Sequence, residues 1–302
     1  MTNLPFVDAH TLETLLPMPQ AVDALEVVFG ANPPPSAPPR QHLDAGNGML
    51  LVMPASADTG TGVKLVTVAP ANPPVGLPLI QGVYVLFAPD SLAPSAFFDG
   101  AGITRWRTAA VSALATKHLA RRDASRLVVF GAGIQAEAHV HAMRSVRPIN
   151  EVTIVSLTRS RAEDLAARVG ATAAGPEAVG NADIVCTCTT SSTPVFDGSL
   201  LSPGTHVNAV GGFKPEAREL DDAAIAAGRV VVETRSSALT EAGDVMIPLS
   251  RGVISEAAIE ELTSVVRDGI DRSPDDITIF KSVGIAFEDL AIAVAAYERA
   301  AV

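Results

Sequence analysis

Cysteine is scarce in this 302-residue sequence, which contains only Cys186 and Cys188. Both lie in Asp183-Ile-Val-Cys-Thr-Cys-Thr, an apolar stretch that predicts a buried strand, and residues two apart in a strand share a face. Because no third ligand is nearby in the sequence, we interpret the pair as reduced core thiols and expect no metal site. Reduced thiols in turn indicate a cytoplasmic location.

Signals for membranes and nucleic acids are also lacking. Residues 1–20 include Asp8 and Glu13 but no basic segment, so we expect no secretory leader. No apolar run reaches the ~18 residues that a membrane-spanning helix needs, and we expect no membrane partner. Lys and Arg do not cluster and the net charge is −11, which argues against a nucleic-acid partner.

Aromatic residues make up only 4% of the sequence, so the cores are expected to be aliphatic. A hydrophobic content of 48% with 18% charged residues fits a compact enzyme, and the length suggests about two domains. His139 and His141 lie two apart on a predicted helix and point in different directions, and we interpret all six histidines as structural or surface residues. No G-x-S-x-G or similar nucleophile–base spacing is present. This favours a reaction in which a bound cofactor supplies the reactive group.

A glycine-rich turn is the most informative feature that is present. The apolar segment Arg126–Phe130 runs directly into Gly131-Ala-Gly133-Ile134-Gln135-Ala136, and a helical pattern follows. This is the context in which G-x-G-x-x-G/A binds a dinucleotide. Gly131 permits the tight turn, Gly133 lets a pyrophosphate approach the backbone, and Ala136 lets the helix pack close to the strand. The free N–H groups of that helix then face the phosphates.

In such a fold, the residues after the second strand recognise the ribose of the cofactor. Here these residues are Val155-Ser156-Leu-Thr158-Arg159-Ser-Arg161. NAD-specific folds place an acidic residue near this point, and none is present. Ser156 and Thr158 can instead hydrogen-bond a 2′-phosphate, and Arg159 or Arg161 can neutralise it. We therefore predict NADPH rather than NADH, the alternative being that the arginines are only helix-face charges.

Strand-like and helix-like segments alternate from Arg126 onward. Near-continuous Val and Ile runs separated by helices are typical of a parallel sheet covered on both faces, so we predict an α/β fold with a doubly wound parallel sheet. The predicted strands of this part cover residues 126–130, 151–156, 183–188, 205–210 and 229–233.

The preceding part of the chain has a different character. Strands predicted at residues 49–53, 62–69 and 79–88, with turn residues between them, favour an antiparallel or mixed sheet. Helical spacing begins at residue 105 and continues to 119, and a last helix is predicted at about 284–300.

Three basic residues stand in places where solvated charges are not expected. Lys64 lies inside the strand-like Gly62-Val-Lys-Leu-Val-Thr-Val, Arg40 precedes the strand at 49–53, and Arg107 opens the amphipathic helix. Each alone could be a surface charge. Together they suggest a pocket for a carboxylate, because Arg offers a planar fork that matches this group and Lys adds a point charge.

These features together resemble the ornithine cyclodeaminase/mu-crystallin family over nearly the whole length of the chain. The matching segments are Arg40, Met53-Pro54-Ala55, Gly62-Val-Lys64, Gly76-Leu-Pro78, Asp99-Gly100, Thr104-Arg-Trp-Arg107-Thr-Ala-Ala-Val-Ser-Ala-Leu-Ala, Gly131-Ala-Gly-Ile-Gln-Ala136, Pro203-Gly-Thr-His-Val-Asn208-Ala-Val-Gly211, Gly243-Asp244-Val and Phe280-Lys-Ser282-Val-Gly-Ile-Ala-Phe-Glu-Asp289.

The resemblance implies a homodimer whose subunit has a Rossmann domain at residues 119–283. It also implies a discontinuous α+β substrate-binding and dimerisation domain at 1–118 and 284–302. In this interpretation Arg40, Lys64 and Arg107 hold the substrate carboxylate beside the nicotinamide. The residues that line the cofactor are then Thr108, the turn Gly131–Ala136, Thr187, Val210 and Ser282.

The sequence departs from the family pattern at two positions. Ornithine cyclodeaminases carry an aspartate after a Gly-Gly pair, and here Gly211-Gly212 is followed by Phe213, which cannot act as a base. Glu216, three residues on, is a candidate substitute; otherwise the pattern is similar to the ketimine reductase branch of the family. Leu157 stands where NADP-binding relatives often carry Arg, with Arg159 as the replacement.

We therefore expect NAD(P)H-dependent reduction of a small cyclic ketimine carboxylate. The substrate would be Δ1-pyrroline-2-carboxylate or Δ1-piperideine-2-carboxylate, and the product L-proline or L-pipecolate. Lys64, placed next to two arginines, is expected to have a lowered pKa suited to proton transfer. The alternatives are an ornithine cyclodeaminase that recycles NAD+, an alanine-dehydrogenase-like enzyme, and a non-catalytic NADPH-binding protein.

Overall fold

The computed structural model describes residues 4–35 and 37–300. It divides into two compact units, the first formed by Met1–Arg107 with Gly284–Val302 and the second by Thr108–Val283. The division falls inside a long helix, before the boundary expected after residue 118. The helix runs unbroken through this point, so its periodicity carries no mark of the division.

The chain begins with short helices and then forms a group of strands. Its elements up to residue 119 are strand β1 (Phe6–Val7), helices α1 (Ala9–Leu15) and α2 (Met18–Gly30), strands β2 (Gln41–Asp44), β3 (Met49–Ala57), β4 (Gly60–Val68), β5 (Ile80–Phe87) and β6 (Pro94–Asp99), and helix α3 (Gly100–Leu119).

Strands and helices alternate in the rest of the chain. The elements are β7 (Arg126–Phe130), α4 (Ile134–Val146), β8 (Glu151–Val155), α5 (Arg159–Val169), β9 (Thr172–Ala173), β10 (Ile184–Thr187), β11 (His206–Ala209), α6 (Asp222–Ala227), β12 (Gly228–Val232), α7 (Arg235–Glu241), α8 (Gly243–Ser250), β13 (Ile259–Glu261), α9 (Leu262–Asp268), β14 (Ile277–Lys281) and α10 (Ala286–Ala300).

The first unit is built on a mixed sheet with the strand order β1-β6-β5-β4-β3-β2, as its turn-rich sequence predicts. Strands β2 to β6 pair antiparallel, whereas β1 pairs parallel to β6. Helix α10 packs on β3 and β4 and against α2, where the rings of Phe29 and Phe287 meet edge to face at 5.0 Å. Successive side chains of a strand point to opposite faces, so alternate residues of β4 face this helical layer.

Helix α3 leaves this sheet at the end of β6. The carboxylate of Asp99 accepts hydrogen bonds from the backbone N–H groups of Ala101 and Gly102, at 2.9 and 3.1 Å. Such a cap satisfies donors that have no partner inside the helix and fixes where the helix begins. It thereby fixes the position of Arg107 two turns later.

The second unit is a parallel sheet with the order β13-β12-β14-β11-β10-β7-β8-β9, in which every pairing among the described strands is parallel. The α/β fold with a Rossmann-type, doubly wound sheet is thus confirmed. From β7 the chain proceeds to β8 and β9 on one side and then to β10 and β11 on the other. Such a switch point opens a crevice at the carboxyl ends of the strands, where ligands of these folds bind.

Over residues 4–35 and 37–300, no helix combines the length and the hydrophobicity needed to cross a bilayer.

Candidate active site

The three predicted cations all lie in the first unit. Lys64 stands on β4 and Arg107 on α3, and their exposed fractions are 2% and 5%. Arg40 directly precedes β2 and is half-buried. Lys64 is buried because it shares the helix-covered face of β4 with Gly62 and Val66.

A carboxylate on α10 meets the buried lysine. Lys64 Nζ lies 2.8 Å from both Oδ1 and Oδ2 of Asp289, and Asp289 is fully buried in the first turn of the helix. A buried charge is tolerated only with such a partner, because an isolated one loses most of its solvation.

The same helical turn also serves Arg107. Its Nη1 donates to Oε2 of Glu288 at 3.0 Å, and its Nε donates to Oδ1 of Asp289 at 3.2 Å. Arg40 reaches the segment just before α10, where its Nη2 donates to the backbone carbonyl of Gly284 at 2.5 Å. The sequence did not predict Glu288 and Asp289 as site residues. They appear in the sequence analysis only within the segment that resembles the family.

The cluster thus brings together three cations, Arg40, Lys64 and Arg107, and two carboxylates, Glu288 and Asp289. Burial lowers the pKa of Lys64 to about 8; Asp289 opposes this change, and Arg107 and Arg40 add to it. A lysine with this pKa exchanges its proton near neutral pH, which suits a general acid.

Tyr84 completes the surroundings of Lys64. The two residues are directly opposite in the β4–β5 register, and the Tyr84 hydroxyl is buried without a hydrogen-bond partner among the described residues. Burial, together with the charge of Asp289, raises the pKa of Tyr84 well above its usual value. The hydroxyl therefore stays protonated.

In the second unit, the glycine-rich turn follows β7 as predicted. Gly131 has a φ of +110°, and a Cβ there would overlap with the carbonyl group of Cys188, which follows β10. A Cβ on Gly133 would meet no atom within 4 Å. The turn is therefore closed on the strand side and open in front of α4, as a pyrophosphate cradle must be.

The remaining residues of the turn start α4. Ile134 is exposed and Ala136 is fully buried against the sheet. The backbone carbonyl of Gln135 lies 2.8 Å from Nδ1 of His139. A small residue at 136 thus brings helix and strand together, the role expected for the last position of the motif.

The other predicted cofactor residues follow strands of the same sheet. The hydroxyl of Thr187, at the end of β10, donates to Glu219 at 2.8 Å. The N–H of Val210, after β11, donates to the Thr187 carbonyl at 3.1 Å. The hydroxyl of Ser282, after β14, donates to Glu233 at 2.6 Å. The structure thus brings these residues to the carboxyl edge of the sheet, while Thr108 is buried in α3.

The residues predicted for ribose recognition follow β8. Ser156 is partly buried, whereas Leu157, Thr158 and Arg159 are exposed. Arg159 Nε donates to Oε1 of Glu163 at 2.8 Å, one helical turn later in α5. Arg159 is thus at the surface, just after the end of β8.

The loop after Gly211-Gly212 is held by a buried carboxylate that the sequence reasoning did not identify. Glu219 accepts hydrogen bonds from Thr187, from the N–H and hydroxyl of Thr189, and from the N–H of Gly211, at 2.6 to 2.8 Å. Burial raises the pKa of Glu219. Glu216 is exposed, so among the two glutamates only Glu219 is built into the fold.

A second buried pair supports the same loop. Lys281 Nζ lies 2.9 Å from Oδ2 of Asp244 and donates to the carbonyl of Gly212 at 2.7 Å. Oδ1 of Asp244 accepts from the backbone N–H groups of Glu219 and Leu220, each at 2.8 Å. The backbone after β11 is thereby fixed from both sides.

Comparison with known proteins extends this picture. The profile of the ornithine cyclodeaminase/mu-crystallin family matches residues 6–302. A Δ1-pyrroline-2-carboxylate reductase of Bacillus cereus is 40% identical over 264 residues, which cover 83% of this chain and 81% of the relative.

Solved structures agree with this assignment. The structure of the Thermococcus litoralis Δ1-pyrroline-2-carboxylate reductase in complex with NADH and L-proline superposes with a TM-score of 0.93 at 33% identity, covering 99% of this chain and 98% of that one. An archaeal alanine dehydrogenase dimer with bound NAD superposes with a TM-score of 0.92 at 30% identity, covering 99% and 96%. This chain belongs to the ornithine cyclodeaminase/mu-crystallin family.

Proposed function

We propose that this protein reduces small cyclic ketimine carboxylates with NAD(P)H. The substrate is Δ1-pyrroline-2-carboxylate or Δ1-piperideine-2-carboxylate, and the product is L-proline or L-pipecolate. The observation that carries the proposal is the cluster of the first unit, in which Arg40, Arg107 and a buried lysine with a pKa of about 8 are brought together. Similarity to Δ1-pyrroline-2-carboxylate reductases, one of them in complex with NADH and L-proline, supports it.

In the reaction, Arg40 and Arg107 bind the substrate carboxylate and Lys64 holds a proton at Nζ. When bound, the nicotinamide cofactor supplies the hydride for the imine carbon. Lys64 gives its proton to the imine nitrogen, so the C=N bond becomes CH–NH. The neutral amine of Lys64 then regains a proton from water. Fixing the carboxylate converts an encounter of free molecules into reaction within one complex, which can be worth several kcal/mol.

The cofactor is held by the second unit. The open face of Gly133 and the start of α4 take the pyrophosphate, and Thr187, Val210 and Ser282 lie at the strand ends beside it. We keep NADPH as the proposed preference over NADH, with Ser156, Thr158 and Arg159 as the residues that recognise the 2′-phosphate.

We also propose a homodimer formed through the sheet of the first unit. The face of this sheet opposite to α10 is apolar, and its residues remain partly exposed: Leu50, Val52, Val63, Leu65, Val83, Val85 and Phe97. Contiguous exposed apolar surface marks interaction sites. A second copy is the occupant we propose, because the similar archaeal alanine dehydrogenase is a dimer.

The dimer is tested by light scattering on Val63→Arg, with Val27→Arg as the matched control. Val27 is exposed on α2, away from this sheet face. We expect a monomer for the first variant and a dimer for the second. A dimer in both would contradict the proposed interface.

We also propose a reducing, cytoplasmic location, which the two free cysteines, Cys186 and Cys188, support.

The activity is tested by following absorbance loss of NADPH and of NADH with Δ1-pyrroline-2-carboxylate. Parallel reactions contain L-ornithine with NAD+, monitored for ammonia, and pyruvate with ammonium and NADH. Rapid oxidation with the cyclic imine alone is the expected result. Ammonia from ornithine without net cofactor turnover would favour the cyclodeaminase, turnover of pyruvate the alanine dehydrogenase, and binding without any turnover the non-catalytic protein.

A further inference from the structure

Gly284 lies between two guanidinium groups that come from distant parts of the sequence. Its carbonyl accepts the hydrogen bond from Arg40 Nη2 at 2.5 Å. A Cβ on Gly284 would overlap with Nη1 of Arg107 and would lie 2.5 Å from its Nη2 and 2.7 Å from its Cζ. One residue therefore touches both arginines, through its carbonyl on one side and its α-carbon on the other.

We propose that Gly284 is a positioning residue that sets the spacing of the Arg40 and Arg107 guanidinium groups for one carboxylate. This inference rests on the proposed function, since it assigns the carboxylate of the imino acid to these two side chains. Two like charges repel and would separate if held only by long, flexible side chains. A backbone contact to each restrains them before the substrate arrives, which reduces the entropy lost on binding.

Glycine is needed here for two separate reasons. The φ of Gly284 is +78°, in the left-handed region that side chains rarely adopt. The guanidinium of Arg107 also occupies the space of a Cβ, and its Nη1 and Nε are already bound to Glu288 and Asp289. An alanine would therefore push the guanidinium away from its position by about 1 Å, a displacement that can cost up to 100-fold in an active site.

The chain provides a control that separates the two reasons. Gly269, which follows α9 in the second unit, has the same φ of +78°, and a Cβ there would meet no atom within 4 Å. Gly269→Ala thus places a side chain at the same positive φ without moving a guanidinium. A difference between the two variants in KM or in the Kd of L-proline reports the contact with Arg107.

The experiment compares wild type, Gly284→Ala and Gly269→Ala. For each we would measure kcat and KM for Δ1-pyrroline-2-carboxylate, the Kd of L-proline by calorimetry, the Kd of NADH by fluorescence, and Tm. We expect a KM and an L-proline Kd raised about 10- to 100-fold in Gly284→Ala alone, with an unchanged NADH Kd and a lowered Tm in both variants.

Equal KM and L-proline Kd values in the two alanine variants would overturn the role of Gly284. No turnover of the cyclic imine by wild type would instead overturn the proposed function, so the two failures are distinguishable.

A second comparison covers the case in which Gly284→Ala does not fold. Arg107→Lys removes the planar group that occupies the Cβ position, so Gly284→Ala then retains only the backbone strain of its positive φ. We expect Arg107→Lys/Gly284→Ala to fold, with a smaller Tm loss relative to Arg107→Lys than Gly284→Ala shows relative to wild type, the non-additivity of residues in contact. A Tm loss as large as in the wild-type background, or failure of the double variant to fold, would overturn the proposal.

Discussion

Replacing Asp289 by asparagine should move the alkaline limb of the pH–rate profile to lower pH. Lys64 Nζ is 2.8 Å from both carboxylate oxygens of Asp289, so this substitution removes the closest negative charge and leaves the shape of the side chain. Arg107 and Arg40 remain and still disfavour the ammonium form. The form of Lys64 that donates a proton is then lost at lower pH.

The magnitude follows from the pKa of Lys64. Burial lowers the pKa from 10.5 to about 8 even though Asp289 raises it; this difference corresponds to roughly 3 kcal/mol against the ammonium form. A close ion pair is worth up to ~4 kcal/mol at an effective dielectric constant of ~20. Local relaxation and water reduce this energy. We expect a further decrease of about one to two pH units. At pH ~7.5 the protonated fraction would fall from about three quarters to about one tenth.

The assay is kcat/KM for Δ1-pyrroline-2-carboxylate with saturating reduced cofactor between pH 6 and 10, since this ratio reports ionisations of the free enzyme and the free substrate. Titration of the imine is common to all variants, so a difference between them belongs to the protein. Asp244→Asn is the matched control, because it breaks the buried Lys281–Asp244 pair of the second unit, 2.9 Å long. The alkaline limb of the pH–rate profile of Asp244→Asn should stay at the wild-type position. An unmoved limb in Asp289→Asn would refute the assignment of Lys64 as the proton donor.

Three further predictions concern the second unit. Arg159→Ala should raise the KM for NADPH about tenfold and leave that for NADH unchanged, because only NADPH carries the phosphate; equal effects would assign Arg159 to its Glu163 ion pair alone. Burial lowers the pKa of His139 to about 4, so the neutral form of His139 contributes to the free energy of unfolding above pH ~6.5. This contribution is lost as the pH falls towards 4, at up to ~1.4 kcal/mol per pH unit. Urea midpoints of His139→Gln should thus fall less steeply over this range than those of wild type, and parallel curves would contradict this origin. Gly131→Ala should weaken binding of NADH in fluorescence titrations by at least about tenfold, because its φ is +110° and its Cβ would overlap the Cys188 carbonyl; unchanged binding would show that the turn can shift freely.

The parallel sheet could be predicted well because its strands are buried on both faces. Such strands are continuous apolar runs, and β7, β8 and β10 lie where these runs predict them. Strand β2 could not be predicted, because all of Gln41–Asp44 is exposed and shows no alternation. Strand β14 was also missed, because Ile277–Lys281 includes Thr278 and Lys281 and is not a continuous apolar run, although it lies between β11 and β12 in the sheet.

The cations of the candidate site could be predicted, whereas their partners could not. Lys64 stands among the apolar residues of its strand, where a charge is conspicuous, and Arg107 opens an amphipathic helix and belongs to the family pattern. Glu288 and Asp289 resemble ordinary acidic residues in the first turn of a helix, where they are favourable in any protein. One signal was available: no other polar residue occurs in α10 before Tyr297, so this helix has no solvated face over Ala286–Ala296.

The grouping of Arg40, Lys64 and Arg107 leads to a last prediction about ligands. The planar N–H donors of a guanidinium match the two oxygens of a carboxylate, and the lysine adds a point charge. A ligand carboxylate uses this match, whereas a neutral group of the same shape does not. L-Proline should therefore raise Tm, with a stabilisation near ~2.7 kcal/mol at 100 times its Kd. L-Prolinamide, which keeps the ring and the amine but lacks the carboxylate, should leave Tm unchanged at the same concentration. Equal shifts with both ligands, measured by scanning fluorimetry, would show that the cluster recognises the ring rather than the charge.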